Sequence, residues 1–162
     1  MKNSGDWSVA DLCDDYSNEI SVVNGQFKSY GGKFKAFGRI ETVVLNTDNS
    51  KLIELLSSDG KGKIAFVTSP NKHAALVGDR LASIAIENNW EAIIVDGAVR
   101  DIRTTAEMDV CLYANSVYPV RGARNGGGEV NISTELYGVI INPRDYVYVD
   151  NDGVIVSQRA LI

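Results

Sequence analysis

Apolar and polar positions along the chain first follow a helical period. In "SVADLCDDY", Val9, Leu12, Cys13 and Tyr16 share one face, and Ser8 stands three residues before Asp11, which predicts a capped amphipathic helix. "GRIETVVLN", residues 38–46, is β-branched and apolar and predicts a strand, after which "SKLIELLSS" returns to helical spacing through Leu52, Leu55 and Leu56. The turn residues "DGKG" close that helix, and "KIAFVT", residues 63–68, reads as a buried strand. A polar stretch, "SPNKHAALVGD", then leads into a helix with Leu81, Ile84 and Ala85 on one face, and a strand starts again at Glu91 in "EAIIVD". Strand, helix and strand with short connections predict a parallel crossover unit, and open α/β sheets bind ligands at the C-terminal ends of such strands. From Asp109 onward the pattern changes to short β-rich runs broken by turn residues, including a hairpin in "VDNDGVIV" with Asp152-Gly153 at its tip. The expectation is a single α/β domain over residues 1–162, with a crossover half packed on a β-rich half and no linker between them.

Composition narrows the function classes. A chain of 162 residues buries roughly 70% of the surface its unfolded form exposes, enough for a core without staples. Cys13 and Cys111 match no zinc or CxxC spacing and sit among apolar residues, so they read as buried reduced thiols. No stretch has the length needed to cross a bilayer, and the N-terminus has no apolar run before its first acids, so a soluble cytoplasmic protein without a membrane role is expected. The net charge of -5 and the absence of a basic stripe argue against direct nucleic-acid binding, while an acidic surface suits a basic protein partner.

The candidate chemistry gathers around "LVGDRLASIAIENNWEAIIVDGAVRD", where twenty residues stand between Asp79 and the pair Arg100-Asp101. One reading is plain: Asp101 caps the helix suggested by "IRTTAEM", Arg100 is a solvated charge, and Asp79 is an acid in a helix's first turn. The other is chemical. A carboxylate at a strand-end loop holds Mg²⁺ or Mn²⁺ with water completing the shell, an arginine fork beside it suits a carboxylate or enolate oxygen, and a second acid orients a water. His73, the only histidine, excludes a multi-histidine zinc site and reads as a surface or helix-entry residue. "GARNGGGE", residues 122–129, either cradles an anion with backbone N–H groups or is a flexible turn.

Together with "ADLCDDY", "YGGKFKAFGRIETVV" and "YVYVDNDGVIVSQ", that run resembles the family of the regulator of ribonuclease activity A and its relatives, the class II 4-hydroxy-4-methyl-2-oxoglutarate aldolases. The resemblance covers nearly the whole chain, and its most specific element is Asp79, Arg100 and Asp101. It implies a swivelling-domain-like β/β/α fold assembled as a homotrimer or a dimer of trimers, with sites at subunit interfaces. It also implies that Asp101 holds a divalent metal, that Arg100 contacts the pyruvyl group of a keto-acid substrate, and that Gly78, Asp79, Arg80 and Leu81 line that substrate. Asp79 with Arg100 would carry catalysis, and oxaloacetate decarboxylation is the expected side activity. Regulator-type members inhibit a ribonuclease by protein contact, which is the alternative function. Where many relatives carry a Gly-rich stretch before the helix, this chain reads "TSPNKHAAL".

Overall fold

The computed structural model describes residues 5–162. Among the described residues four helices, α1 (Val9–Asp15), α2 (Ser50–Leu56), α3 (Asp79–Glu87) and α4 (Ile102–Thr105), punctuate twelve strands. In the first half these are β1 (Ile20–Val22), β2 (Lys28–Ser29), β3 (Ala36–Val44), β4 (Lys63–Thr68), β5 (Ala75–Val77) and β6 (Ala92–Val99). The second half adds β7 (Leu112–Val117), β8 (Glu129–Val130), β9 (Thr134–Leu136), β10 (Val139–Ile141), β11 (Tyr146–Asp150) and β12 (Gly153–Ser157).

One ten-stranded sheet runs in the order β1-β12-β11-β3-β4-β6-β7-β2, with β5 added to β6 and β8 to β3. Its centre, β3, β4, β6 and β7, is parallel, and its flanks, β11, β12, β1 and β2, are antiparallel. A parallel centre has both faces covered, which is why all eight residues of β6 are buried. Strand alternation sends Ala65 and Val67 of β4 to a core shared with Leu52 and Leu56 of α2 and Leu81, Ala82 and Ala85 of α3. Ile64 and Phe66 point the other way, into a second core with Tyr113, Ile141 and Val147, against which Leu136 and Val139 of the β9–β10 hairpin pack. The result is a layer of helices, a sheet and a hairpin layer. Helix α1 closes a third cluster with Tyr148 and Ile155, and Ser8 caps it by accepting from the Asp11 N–H at 3.1 Å.

Several expectations need correction. The strand expected in "EAIIVD" does not end at Asp96: β6 runs on to Val99, with Asp96 and Gly97 inside it, where the register with β7 shifts between Val95 and Ala98. The polar stretch before α3 contains β5, a three-residue buried strand parallel to β6. The expected apolar face of α3 holds: Leu81 and Ala85 are buried together with Ala82, and Ile84, half-buried, packs against the same core. The first long strand is shifted two residues toward the N-terminus, and the last hairpin turns at Asn151-Asp152, because Asp150 pairs with Gly153. Both cysteines are free, but only Cys111 is buried as expected, Cys13 being half-buried; burial pushes the Cys111 thiol up to about 12.

Candidate functional site

The predicted residues converge on a cleft at the C-terminal ends of β5 and β6. Its lining includes Gly78, Asp79, Arg80, Leu81, Arg100 and Asp101. Strands β5 and β6 are neighbours, and the Arg100 N–H donates to the Val77 carbonyl at 3.0 Å, so the loop after each strand is held against the other. Gly78 makes the close approach possible. A Cβ on that residue would collide with Asp101 Oδ2.

Asp101 occupies the N-cap position of α4, yet its side chain makes no cap there. Its backbone sits in the left-handed region (φ 58, ψ 33), which turns the carboxylate away from its own helix. Asp and Asn tolerate that region better than other non-glycine residues. Oδ2 instead accepts from the Asp79 N–H at 3.2 Å, the first-turn amide of α3, where helix polarity favours negative charge. The plain capping reading therefore fails for α4. The carboxylate bridges two elements and stays 38% exposed toward the cleft, with Arg100 Nε 3.9 Å from Oδ2. Arg100 Nη1 also donates to the Pro119 carbonyl at 3.3 Å, so the guanidinium is braced on both sides. Asp79 and Arg80 are exposed at the rim, while the Leu81 side chain belongs to the core beneath the cleft.

Sequence reasoning missed two further arginines. Arg121 and Arg124 also line the cleft, from the loop preceding β8 that reads as a turn. Partial desolvation, followed by the positive charges of Arg80, Arg121 and Arg100, holds the Arg124 guanidinium below its ordinary value. Four guanidinium groups against Asp79 and Asp101 leave a cationic cleft on an acidic chain, and "ARN" carried that signal only as a lone charge inside glycines. His73 is exposed and stacks at a tilt on Tyr118, 5.4 Å between ring centroids.

Among the described residues no three His, Cys, Asp or Glu side chains gather as a metal cage. The donor set fits a Mg²⁺-type ion nonetheless, because such ions are held by one or two carboxylates with water and substrate oxygens filling the shell. Asp101 offers an exposed carboxylate whose Oδ1 accepts no hydrogen bond among the described residues.

The model of the RraA-like family, Aldolase/RraA, matches residues 9–156. The chain belongs to this family. A Vibrio cholerae protein named "Putative 4-hydroxy-4-methyl-2-oxoglutarate aldolase" is 39% identical over 152 residues, covering 93% of this chain and 94% of its own. An Alcanivorax borkumensis protein of the same name is 38% identical over 156 residues, 95% of this chain and 98% of its own. Among solved RraA-like structures, the RNA-processing inhibitor RraA of Thermus thermophilis superimposes with a TM-score of 0.92 at 30% identity, covering 97% of this chain and 96% of its own. A Geobacillus kaustophilus protein described as an S-adenosylmethionine:2-dimethylmenaquinone methyltransferase gives 0.93 at 36% identity, covering 96% of this chain and 97% of its own. No helix among the described residues is long and apolar enough to cross a membrane.

Proposed function

We propose that the protein is a divalent-metal-dependent lyase that cleaves 4-hydroxy-4-methyl-2-oxoglutarate to two molecules of pyruvate and decarboxylates oxaloacetate as a side activity. The observation that carries the reading is the junction of Asp101, Arg100 and Asp79 at one cleft, with the Asp101 carboxylate turned out of its own helix and tied to the α3 amide. The aldolase names of relatives near 38% identity support the reaction class.

Asp101 is the residue that would hold Mg²⁺ or Mn²⁺, which when bound supplies Lewis-acid polarisation of the substrate's 2-keto oxygen. Arg100 donates its fork to the oxygen on which charge develops as the C3–C4 bond breaks and its electron pair moves toward C2. Asp79, exposed at the rim, orients the water that takes the 4-hydroxyl proton and later returns one to C3. Gly78, Arg80 and Leu81 shape the wall, and Arg121 with Arg124 grips the second carboxylate. Loss of CO2 from oxaloacetate produces the same enolate, held by the same arginine.

The active assembly in this reading is a homotrimer or a dimer of trimers, with the cleft at a subunit boundary. A regulatory role through protein contact with a ribonuclease is a second reading, favoured by the 0.92 TM-score to an RNA-processing inhibitor. The deciding assay measures pyruvate release from 4-hydroxy-4-methyl-2-oxoglutarate and from oxaloacetate, with Mg²⁺ or Mn²⁺ and with chelator. Release from both that stops on chelation is expected. Metal-independent release or none at all defeats the lyase reading.

A further inference from the structure

The turn from Thr47 to Ser50 touches both walls of the cleft. On one side the Asn49 side chain, 3% exposed, donates through Nδ2 to the Leu76 carbonyl at 3.2 Å, just ahead of Gly78 and Asp79. On the other side the turn holds the arginine-bearing loop, residues 121–128, at four points. Asp48 Oδ2 accepts from the Asn125 N–H at 2.5 Å, and Ser50 Oγ accepts from the Gly126 N–H at 2.9 Å. The Thr47 carbonyl accepts from the Ala123 N–H at 2.9 Å, and the Asn49 N–H donates to the Ala123 carbonyl at 3.0 Å. The fit is close enough that a Cβ on Gly122 would collide with the Thr47 carbonyl oxygen. Residues 123–126 are themselves exposed, so no apolar burial anchors this stretch and the hydrogen bonds must.

We infer that Asp48 is a positioning residue: its carboxylate fastens the loop so that Arg121 and Arg124 face the cleft, and through them it sets affinity for the substrate's second carboxylate. The inference rests on the aldolase reading above. Asp48 is the charged member of the turn. Its two oxygens serve the two chain segments separately, Oδ1 accepting from the Ser50 N–H at 2.8 Å and Oδ2 from Asn125. An amide in its place has one acceptor oxygen, and its NH2 must then face a backbone N–H.

The test is Asp48→Asn in the full chain with Mg²⁺ present. The KM for 4-hydroxy-4-methyl-2-oxoglutarate should rise on the order of 10-fold, the scale set by one unsatisfied backbone amide. The kcat should stay within about twofold and inhibition by pyruvate, which has one carboxylate, should not change, since Arg100 and Asp101 are untouched. Arg124→Gln should raise the same KM, and the double variant should lose less than the two single changes added together, because part of the Asp48 effect runs through Arg124 and the rest through Arg121. A fall in kcat at constant KM, weakened pyruvate inhibition or additive losses would overturn the inference. A silent Arg124→Gln beside an impaired Asp48→Asn overturns the route through Arg124 and leaves the aldolase reading standing. If Asp48→Asn fails to fold, Ser50→Ala removes the acceptor for Gly126 and carries the same comparison. If the unaltered protein releases no pyruvate, the aldolase reading fails by itself. Calorimetric binding of 2-oxoglutarate against pyruvate then decides: a Kd increase confined to the dicarboxylate supports the inference, and equal or absent changes overturn it.

Discussion

Asp101 combines a backbone that few side chains tolerate with a carboxylate shared between two loops, and this separates its stability role from its chemical one. Asparagine tolerates the same left-handed conformation, and its oxygen still accepts from the Asp79 N–H. Asp101→Asn should therefore melt close to the unaltered protein while losing metal-dependent pyruvate release, measured by differential scanning calorimetry and a coupled assay. Arg100→Lys keeps the charge but not the fork between Asp101 and Pro119, and should lower turnover on the order of 10²-fold. Gly78 gives a steric version of the argument. Its backbone (φ -133, ψ -159) is open to any residue, so Gly78→Ala introduces no backbone strain and acts mainly through the collision of its Cβ with Asp101 Oδ2, with a lesser contact at 3.3 Å to Arg100 Cγ. That variant should fold and bind metal weakly, and isothermal titration with Mn²⁺ against the unaltered protein reads it directly. Sequence reading reached the three acidic and basic partners because Asp79, Arg100 and Asp101 sit in one crossover unit. It could not see that Asp101 serves α3 rather than α4, since the sign of a φ angle is not written in the residue type.

At the scale of elements, long periodic segments were legible and short ones held by neighbours were not. α1, α2, α3, β4 and the last hairpin follow their apolar spacing. Strand β5 is three residues long behind Asn71, Lys72 and His73, and exists because β6 offers it an edge. The loop of residues 121–128 reads as glycines around a charge, and its role appears only when the Thr47–Ser50 turn folds against it. That loop should open in acid. Hydrogen bonds from the Ser50 hydroxyl and N–H, and then from the Asn125 and Gly127 N–H groups, lower the Asp48 carboxyl from 3.8 to about 2. A carboxylate depressed on folding stabilises the fold fully above its unfolded value, and the contribution is lost as pH falls through the folded value. Amide exchange at Asn125 and Gly127 should accordingly stay protected at pH 5 and open between about pH 4 and 2. Protection that persists below pH 2 would show that the carboxylate does not hold the loop.

Over the whole molecule, two charge scales oppose each other. The chain carries a net charge of -5, yet Arg80, Arg100, Arg121 and Arg124 meet at one cleft. Composition alone shows the first scale and hides the second, because the four arginines come from three separate segments. An acidic exterior disfavours phosphate backbones, so filter binding should show no appreciable RNA affinity at physiological salt. A locally cationic cleft does the reverse for a small dianion: it raises the local substrate concentration and speeds capture. Screening distinguishes these effects from contact chemistry. The Debye length shortens from about 10 Å at 0.1 M ionic strength to about 3 Å at 1 M, which weakens long-range attraction and spares groups in direct contact. The kcat/KM for 4-hydroxy-4-methyl-2-oxoglutarate should therefore fall as KCl is raised from 0.05 to about 0.5 M, while kcat stays nearly constant. Pyruvate inhibition, with half the ligand charge, should weaken less over the same range. A kcat/KM indifferent to salt would mean that the arginines are neutralised by neighbours and do not steer the substrate.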